Sequence, residues 1–533
     1  MRRRYARWRC FAGVDGRITH EQQSSEHERP DRGRQIGLWR GMSARRRRSR
    51  HPSRGRASDW FIVLMTPSKE TRRAEGRDQP GRNLREPERG RTQSRTTLPP
   101  GLARVNAAAR SAVQTRFTAL LHHVDVEALA RAFRRQKRQA SAGVDGITVE
   151  AYEQNLEANL QNLCARVHTE RYRPQPVRRV YIPKADGGRR PLGVPTLEDK
   201  IVQGAVAETL SAIYEVDFLG FSYGFRPGRN PHQALSSLHT AIMSQRVNWV
   251  LDADIRSFFD SVDHEWLLRM LAHRIADPRI LRLVRMWLEA GVLESGEKYE
   301  TIKGTPQGAG ISPLLANVFL HYVLDLWVHQ WRRRHAHGRV TIVRYADDFV
   351  MGFEKEAEAR RMLADLGERL AKFDLRLHED KTRLIEFGRF AASTRHKRGE
   401  RRPETFAFLG FTHYCGRTRD GRFIVKHKTQ SSRLTRKLKA LRQEAWRLMH
   451  RPLAEQHRWY ASVLRGHYGY FGMPHNWRSL NGFLQEVRRI WFTCLRRRSQ
   501  KNRRMGWDWF ETVTSRFPLP RPRITQPWTP RAA

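Results

Sequence analysis

The 533-residue sequence has no long hydrophobic run and little cysteine. Its longest apolar stretch, residues 61–65, is far shorter than the roughly 18 apolar residues that a membrane-spanning helix needs. The four cysteines include no CxxC pair and are widely scattered, at Cys10, Cys164, Cys415 and Cys494. A zinc ribbon or knuckle is therefore not expected, and the spacing suits a reducing compartment better than a disulfide framework.

Acidic residues are scarce relative to basic ones. The chain has 100 Lys and Arg against 54 Asp and Glu, a formal net charge of +46. A compact protein with this excess repels itself unless a polyanion neutralises it, and nucleic acid is the natural partner. An anionic membrane surface is the weaker alternative, and we expect no membrane partner. The hydrophobic fraction of 39% is enough for a core, and the length favours two to four domains.

The N-terminal region, residues 1–104, differs from the rest of the chain. It has a run of four Arg at 45–48 and many Gly, Ser and Pro, without helical or alternating periodicity, and is predicted to be disordered. A basic RNA-binding arm and an Arg-rich organellar presequence are two interpretations. For residues 1–64 we favour a third, a misassigned start with the natural chain beginning near Met65. A bacterial cytoplasmic location is expected, with an organelle as the alternative.

From about residue 105 the periodicity becomes that of a globular chain with both helices and strands. After residue 430 the pattern is almost entirely helical, with a single apolar stripe at spacings of three and four. The stripe consists of Leu480, Phe483, Leu484, Val487, Ile490, Trp491 and Leu495. The predicted elements are helices at 126–138, 149–168, 198–213 and 312–333, and strands at 177–183, 189–194, 248–255, 340–345 and 349–353.

Three aspartates have the setting that a metal-dependent phosphoryl-transfer site needs. Two short apolar strands flank the pair Asp347 and Asp348, and carboxylates are rarely buried unless they are paired or bound to metal. Asp254 ends the 248–255 strand, where its side chain can meet that pair, and Asp252 shares its face. Mg²⁺ prefers oxygen ligands and keeps several waters, so two or three aspartates suffice. Either segment alone is a weak signal, because an Asp pair is more often an ordinary turn.

Seven sequence blocks, in the same order as in that family, make the chain resemble the reverse transcriptase/maturase encoded by group II introns. They cover about residues 105–415, and GHYGYFG (466–472) and LRRRSQ (495–500) extend a looser match to about 525. The seven blocks are YIPKADGGRRPLGVP (181–195), YGFRPGR (223–229), DIRSFFD (254–260), GTPQGAGISP (304–313), RYADD (344–348), HEDKT (378–382) and FLGF (408–411).

The resemblance implies an α+β right-hand polymerase and assigns roles to its catalytic residues. Fingers and palm would span 105–425, a helical thumb and maturase region 426–510, and a basic Pro-rich tail 511–533. Asp254 and Asp347 would be the main ligands of two Mg²⁺ ions, with Asp348 assisting less directly. The Ile255 carbonyl would complete a metal site. Lys381 would protonate the leaving pyrophosphate; a solvated surface charge is the alternative.

The resemblance also assigns residues to the incoming deoxynucleoside triphosphate. Lys184 and Arg190 would clamp its triphosphate, unless they are solvated turn charges. Phe259 would exclude a 2′-OH by its volume, with ordinary core packing as the alternative. Gln307 would support the nucleotide and the template, and residues 408–411 would form the turn that positions the primer.

The implied function is RNA-directed DNA synthesis together with assistance to intron splicing and mobility. The expected partners are intron RNA, an RNA template with a DNA primer, deoxynucleoside triphosphates and target DNA, with the oligomeric state left open. Basic side chains would bind phosphates. Five aromatic residues would either stack on unpaired bases or pack a helical bundle: Trp459, Tyr468, Tyr470, Phe471 and Trp477.

Two alternative functions remain. One is a splicing-only maturase with an inactive polymerase site, against which the intact aspartates argue. The other is a related reverse transcriptase in phage defence, diversification or spacer acquisition, against which the thumb and maturase segment argues. No His- and Cys-rich endonuclease follows residue 525, so second-strand cleavage is not expected. Mobility would then need a nick or primer from elsewhere, such as a replication fork.

Overall fold

The computed structural model describes residues 98–527, except 113, 184–187, 295–296, 301–302 and 305–307. These residues lie in one compact unit and combine helices with three β-sheets, as the predicted α+β class requires. The predictions for residues 1–97 lie outside the described residues.

The secondary structure agrees with most of the predicted elements. The helices of the first half are α1 (Pro100–Ser111), α2 (Val126–Arg134), α3 (Val149–Glu153), α4 (Leu156–His168), α5 (Leu197–Asp217), α6 (Pro231–Ser244), α7 (Phe258–Ser261), α8 (His264–Ala272) and α9 (Pro278–Glu289). Those of the second half are α10 (Ser312–Leu320), α11 (Leu326–Arg334), α12 (Glu356–Ala371), α13 (Ala391–Lys397), α14 (Ser431–Arg447), α15 (Leu453–Phe471), α16 (Trp477–Arg496), α17 (Gln500–Arg503) and α18 (Trp507–Arg516). The strands are β1 (Val177–Pro183), β2 (Arg189–Val194), β3 (Trp249–Asp254), β4 (Val292–Glu294), β5 (Glu297–Tyr299), β6 (Val340–Tyr345), β7 (Asp348–Phe353), β8 (Arg383–Glu386), β9 (Phe406–Phe408), β10 (Phe411–Arg417) and β11 (Phe423–Thr429).

The central sheet has the strand order β6-β7-β3-β8, with every neighbouring pair antiparallel. Both of its faces are covered, which explains the nearly continuous apolar sequences of β3 and β7. On one face Leu251 and Met351 pack in a first core with the helices that precede and follow β3. On the other face Val250 and Val350 pack in a second core that includes Trp491 of α16.

The second sheet, called here the hairpin sheet, has the order β2-β1-β4-β5. Its antiparallel β1–β2 pair is the hairpin predicted from the alternation at 177–183, and β4 adds to β1 in parallel. Gly308 lies against the base of β2, and a Cβ there would stand 2.6 Å from the Gly193 carbonyl oxygen. Its φ of 117° is also one that side chains rarely adopt, so glycine is needed where the 304–313 block meets the hairpin.

The C-terminal helices are built around the predicted apolar stripe of α16. All seven stripe residues are buried in the second core. Trp491, the largest of them, donates its indole N–H to Gln456 Oε1 of α15 at 3.0 Å, so its one polar atom is satisfied. The helical prediction for this region is confirmed.

Three predicted domain boundaries fall inside elements of the structure. The boundary after residue 104 lies within α1, the boundary after 425 within β11 and the boundary after 510 within α18. Residues 517–527 of the predicted tail lie along α15, where the Tyr468 hydroxyl donates to the Pro520 carbonyl at 3.1 Å and the Thr525 amide donates to the Gly472 carbonyl at 2.8 Å. The predicted helix at 312–333 is interrupted by a π-helical segment, His321–Asp325.

Three histidines meet in the second core, from α6, β10 and β11. The ring of His427 lies 4.7 Å from that of His413 and 5.4 Å from that of His239. Burial, together with the charge of neighbouring histidines, lowers the pKa of His427 to about 2 and that of His239 to about 4. The folded protein therefore holds these two rings neutral under conditions in which an unfolded histidine is protonated.

We expect acid to destabilise the protein through these histidines. Their folded pKa values are depressed, so the stability that they permit is complete above the unfolded value of 6.5 and falls as the pH drops below it. At pH 5.5 the loss is on the order of 1 kcal/mol for each of the two rings. Urea unfolding at pH 7.5 and 5.5 measures it, and His427→Gln should show a smaller pH dependence. An identical pH dependence in wild type and variant would contradict this assignment.

Candidate active site

The structure brings two of the three predicted catalytic carboxylates together. Asp254 at the end of β3 and Asp348 at the start of β7 are direct partners across antiparallel strands, and both are buried. Side chains in such positions point to the same face with Cβ atoms about 5 Å apart. Asp347 precedes Asp348 in the turn between β6 and β7 and is half-buried. The sequence argument that joined the 254–260 and 344–348 blocks therefore agrees with the register of the sheet.

The turn that carries Asp347 and Asp348 is held by close backbone contact. Ala346 has a left-handed backbone with φ of 57°. Gly224 lies so near that a Cβ on it would stand 2.3 Å from the Ala346 amide nitrogen. The amide of Tyr223 donates to the Arg344 carbonyl at 2.9 Å. Any larger residue at 224 would push the turn away. This close contact explains why the 223–229 block has glycine at this position.

Lys381 forms an ion pair with Asp254. Its ammonium nitrogen lies 2.7 Å from Asp254 Oδ2, and the 378–382 turn is tied to the same strand end because the His378 amide donates to the Asp254 carbonyl at 2.8 Å. His378 is half-buried, and burial lowers its pKa, with the charge of Lys381 lowering it further. Lys381 is therefore directed at the carboxylates, not into solvent, whereas His378 contributes a backbone contact.

The predicted nucleotide-binding residues are described only in part. Ile255 is buried and bridges to Leu377, beside Asp254. Phe259 on α7 is half-buried and meets Phe258 edge to face, with ring centroids 5.3 Å apart. Lys184, Gln307 and the side chain of Arg190 lie outside what the structure describes; the backbone of Arg190 pairs with Ile182 in the β1–β2 hairpin.

The C-terminal helices reach the site through Tyr470, a residue to which the sequence gave only a possible stacking role. Its hydroxyl donates to the Leu409 carbonyl at 3.0 Å, in the turn predicted to position the primer. Burial raises its pKa to about 12, and the negative charge of nearby Asp348 also raises it. Tyr468 and Phe471 on the same helix are core residues, so base stacking is excluded for these two, whereas Trp477 is exposed.

Arg344 is a second residue whose part in the site the sequence analysis missed. It precedes the turn and is completely buried. The available signal was an arginine inside an otherwise apolar strand, since charged residues are almost never fully buried without partners. Its side-chain partners come from α10, from the segment after it and from Ser222, and their positions could not be derived from spacing.

The oxygen atoms of this site fit a hard divalent cation. Asp254 Oδ1 is buried and has no hydrogen-bonding partner within the described residues. Two carboxylates placed opposite each other repel unless cations lie between or beside them, and Lys381 forms an ion pair with only one of the two, Asp254. No group of three or more His, Cys, Asp or Glu side chains in the described ranges is arranged as a preformed metal site. A metal would therefore be held by two or three carboxylates, backbone oxygen and water, as Mg²⁺ commonly is.

Comparison with known proteins identifies the family. Residues 182–413 match the family described as reverse transcriptase (RNA-dependent DNA polymerase). The protein YkfC of Escherichia coli strain K12 is 35% identical over 287 residues, which are 48% of this chain and 75% of YkfC. This chain belongs to the reverse transcriptase family. It is thus an RNA-directed DNA polymerase, and the family fold is the right-hand polymerase. Reverse transcriptases use a divalent metal ion, typically Mg²⁺.

Other relatives of this reverse transcriptase are encoded by introns. The group II intron-encoded protein LtrA of Lactococcus lactis subsp. cremoris is 38% identical over 194 residues, 36% of this chain and 32% of LtrA. The putative COX1/OXI3 intron 2 protein of Saccharomyces cerevisiae is 32% identical over 210 residues, 39% of this chain and 24% of that protein. The chain therefore spans a third or less of these two relatives. The predicted resemblance to group II intron reverse transcriptases and maturases is confirmed.

Within the described ranges, no helix is both long and apolar enough to cross a bilayer.

Proposed function

We propose that this reverse transcriptase extends a primer on an RNA template at the carboxylates Asp254, Asp347 and Asp348. The observation that carries the proposal is the direct pairing of Asp254 with Asp348, with the Lys381 ammonium 2.7 Å from Asp254. The strand pairing and the ion pair thus bring residues from three separate sequence blocks together at the ends of β3 and β7. The hairpin sheet would serve as fingers, the central sheet as palm and the C-terminal helices as thumb.

The three aspartates and the Ile255 carbonyl would hold two Mg²⁺ ions. When bound, such ions stabilise the attacking and leaving oxygens of an in-line phosphoryl transfer. Asp254 and Asp347 would be the principal ligands. Lys381, already paired with Asp254, would donate a proton to the leaving pyrophosphate, and a positioned acid of this kind contributes about 10²–10⁴-fold.

The remaining residues would select and hold the nucleotide. Lys184, which follows β1 in the sequence, and Arg190, the second residue of β2, would contact the triphosphate, because a point cation and a guanidinium fork both match phosphate oxygens. Gln307, the residue before Gly308 in the sequence, would support the nucleotide and template. Phe259, half-buried on α7, would exclude a 2′-OH.

We further propose that the chain binds intron RNA and assists its splicing and mobility in the cytoplasm of a bacterium, with target DNA as a further partner. The net charge of +46 and the likeness to LtrA support this. In splicing the protein would stabilise the folded RNA while the RNA performs the chemistry. Exposed Trp477 would be free to stack on an unpaired base.

Primer extension by the purified chain tests the polymerase proposal. With an RNA template, a DNA primer, Mg²⁺ and deoxynucleotides at low salt, we expect templated extension. Absence of extension by folded protein would instead favour a splicing-only maturase. RNA binding and splicing of the intron that flanks the gene would then be measured next.

Substitution of Phe259 tests the proposed sugar selection. Phe259→Val is expected to increase ribonucleotide incorporation relative to deoxynucleotide incorporation by about 10–100-fold, because the smaller side chain leaves room for the 2′-OH. The measurement is the ratio of kcat/KM for the two nucleotides in single-nucleotide extension. Phe390→Val, which changes an exposed phenylalanine elsewhere, is the matched control. A ratio equal to that of wild type would assign Phe259 to core packing.

A further inference from the structure

Arg344 makes five hydrogen bonds from a position with no solvent exposure. Its Nε and Nη2 donate to the two carboxylate oxygens of Asp325 at 2.7 and 2.5 Å. Its Nη1 donates to Asn317 Oδ1 and to the Ala346 carbonyl, both at 3.0 Å, and its Nη2 also donates to Ser222 Oγ at 2.8 Å. A guanidinium has five N–H donors, so the fork is fully used. One of its acceptors, Ala346, belongs to the turn that presents Asp347 and Asp348.

Arg344 lies on the face of the central sheet opposite to the carboxylates. In the β6–β7 register Tyr345 is the partner of Asp348, whereas Arg344 is the partner of Phe349, which packs in the first core. Because successive side chains of a strand point to opposite faces, the guanidinium lies beneath the sheet and Asp348 above it. Arg344 therefore cannot contact a substrate at the carboxylates, and it reaches them only through the backbone of the turn.

The groups that hold Arg344 are themselves held. Asn317 accepts from Arg344 and donates through Nδ2 to the Gly224 carbonyl at 2.7 Å, and Gly224 is the residue packed against the Ala346 amide. Asn317 is buried, and both ends of its amide are thus engaged. The 223–229 block, α10 and the catalytic turn are in this way joined by one network of side-chain amide, guanidinium and backbone groups.

The π-helical segment His321–Asp325 carries the counterion. Asp325 is its last residue and is completely buried. A π-helical turn is wider than an α-helical one, leaves backbone groups out of the regular ladder and is frequent at functional sites. The half-buried Arg369 of α12 donates to the carbonyls of Tyr322 and Val323 at 3.1 and 3.0 Å, which supports the widened turn from outside. This irregular segment is therefore stabilised by hydrogen bonds from Arg369, which are separate from those of Arg344.

We propose that Arg344 is a positioning residue of the polymerase site, which acts with Asp325 and Asn317 to fix the catalytic turn. Arg344 donates to the Ala346 carbonyl from the face of the sheet opposite to the carboxylates and so fixes the backbone of the turn. This backbone sets the directions in which the Asp347 and Asp348 side chains point. Metal ligands need to be held within about 0.5 Å of their productive geometry, which a two-residue turn does not ensure alone. The proposal rests on the proposed metal-binding role of Asp347 and Asp348.

Two variants separate positioning from simple core stability. Arg344→Lys keeps the positive charge but cannot donate hydrogen bonds to Asp325, Asn317 and Ala346 at the same time. Arg344→Met combined with Asp325→Leu removes both buried charges, and such a replacement is often neutral for folding. Arg274→Lys is the matched control, because Arg274 and Asp217 form another buried ion pair, 3.0 Å apart, which does not involve the turn.

The experiment measures Mn²⁺ binding by electron paramagnetic resonance, with primer–template and deoxynucleotide present and a primer that lacks the 3′-OH. We expect Arg344→Lys and the double variant to weaken Mn²⁺ binding about 10–100-fold, as substitutions behind metal ligands do. Primer–template affinity should stay within about twofold of wild type. Arg274→Lys should lower the melting temperature without changing Mn²⁺ affinity.

The outcomes distinguish the positioning role from the metal site itself. Asp347→Ala is measured alongside; if it binds Mn²⁺ as wild type does, the proposed metal site fails. If Asp347→Ala loses binding while folded Arg344→Lys or the double variant binds normally, the positioning role alone is overturned. Should neither Arg344 variant fold, Ser222→Ala decides, since it removes one acceptor and no charge. It is expected to weaken Mn²⁺ binding by about twofold to threefold, and unchanged affinity overturns the proposal.

Discussion

Asp347→Ala is expected to slow primer extension by about a thousandfold or more while the protein stays folded. The side chain would be a principal ligand of the metal ions that stabilise the transition-state charge, so its loss removes more than a single hydrogen bond would. Asp347 is the best of the three aspartates to change. It is half-buried at a turn, whereas Asp254 and Asp348 are buried, and Asp254 is paired with Lys381.

Single-turnover extension rates at saturating nucleotide and primer–template measure this effect. Asp420→Ala, in the exposed turn between β10 and β11, is the control for loss of an acidic side chain, and both variants should melt near the wild-type temperature. Because splicing would depend on RNA binding, we expect Asp347→Ala to support intron splicing as wild type does. Extension by Asp347→Ala within tenfold of the wild-type rate would be incompatible with its role as a principal ligand.

Lys381→Met is expected to lower kcat by about 100-fold and, at the same time, to tighten metal binding. The loss of rate follows from removal of the proposed proton donor, since general acids contribute about 10²–10⁴-fold. The gain in metal affinity follows from the ion pair, because the Lys381 ammonium lies 2.7 Å from an oxygen that the metal would use. Without that resident cation, Asp254 would present two oxygens to the metal.

The two effects are measured separately, by the chemical rate as a function of pH and by Mn²⁺ titration. Lys303→Met is the matched control, because Lys303 pairs with Asp374 at a similar distance, 2.8 Å, but both side chains are exposed. Tighter Mn²⁺ binding with an unchanged rate would leave Lys381 as a counterion of Asp254 and remove it as the acid. An unchanged Mn²⁺ affinity would show that the ion pair is displaced without cost.

The convergence of Asp254 with Asp348 could be predicted because strands have a strict period. An apolar strand that ends at Asp254 and an apolar strand that begins at Asp348 can pair in only a few registers. The order of the sequence blocks favoured the register in which the two aspartates are partners. The partners of Arg344 could not be predicted in this way. The 312–333 segment continues its apolar period through His321–Asp325, so nothing in the sequence marks the π-helical turn that brings Asp325 under the strand.

The roles of the aromatic residues could not be predicted for a different reason. Tyr468, Tyr470 and Trp477 are all aromatic residues of the same region, but they are respectively a core residue, a hydrogen-bond donor to the Leu409 carbonyl and an exposed ring. Which role each takes depends on what packs against α15 and α16, which is tertiary information. The predicted tail was inferred from composition, whereas residues 517–527 are held by backbone hydrogen bonds that composition does not encode.

The two faces of the central sheet pack in two different cores, and this limits where the chain can be truncated. The stretch recognised as a reverse transcriptase ends at residue 413, in the middle of β10, but the second core, to which Val250 and Val350 belong, also contains residues of β11 and of the C-terminal helices. A fragment that ends there would lose the partner strand β11 and expose the remaining apolar residues of the second core to water. The segment that matches the family and the segment that we expect to fold on its own thus end at different residues in this protein. The unit that we expect to fold on its own includes the C-terminal helices together with the catalytic strands.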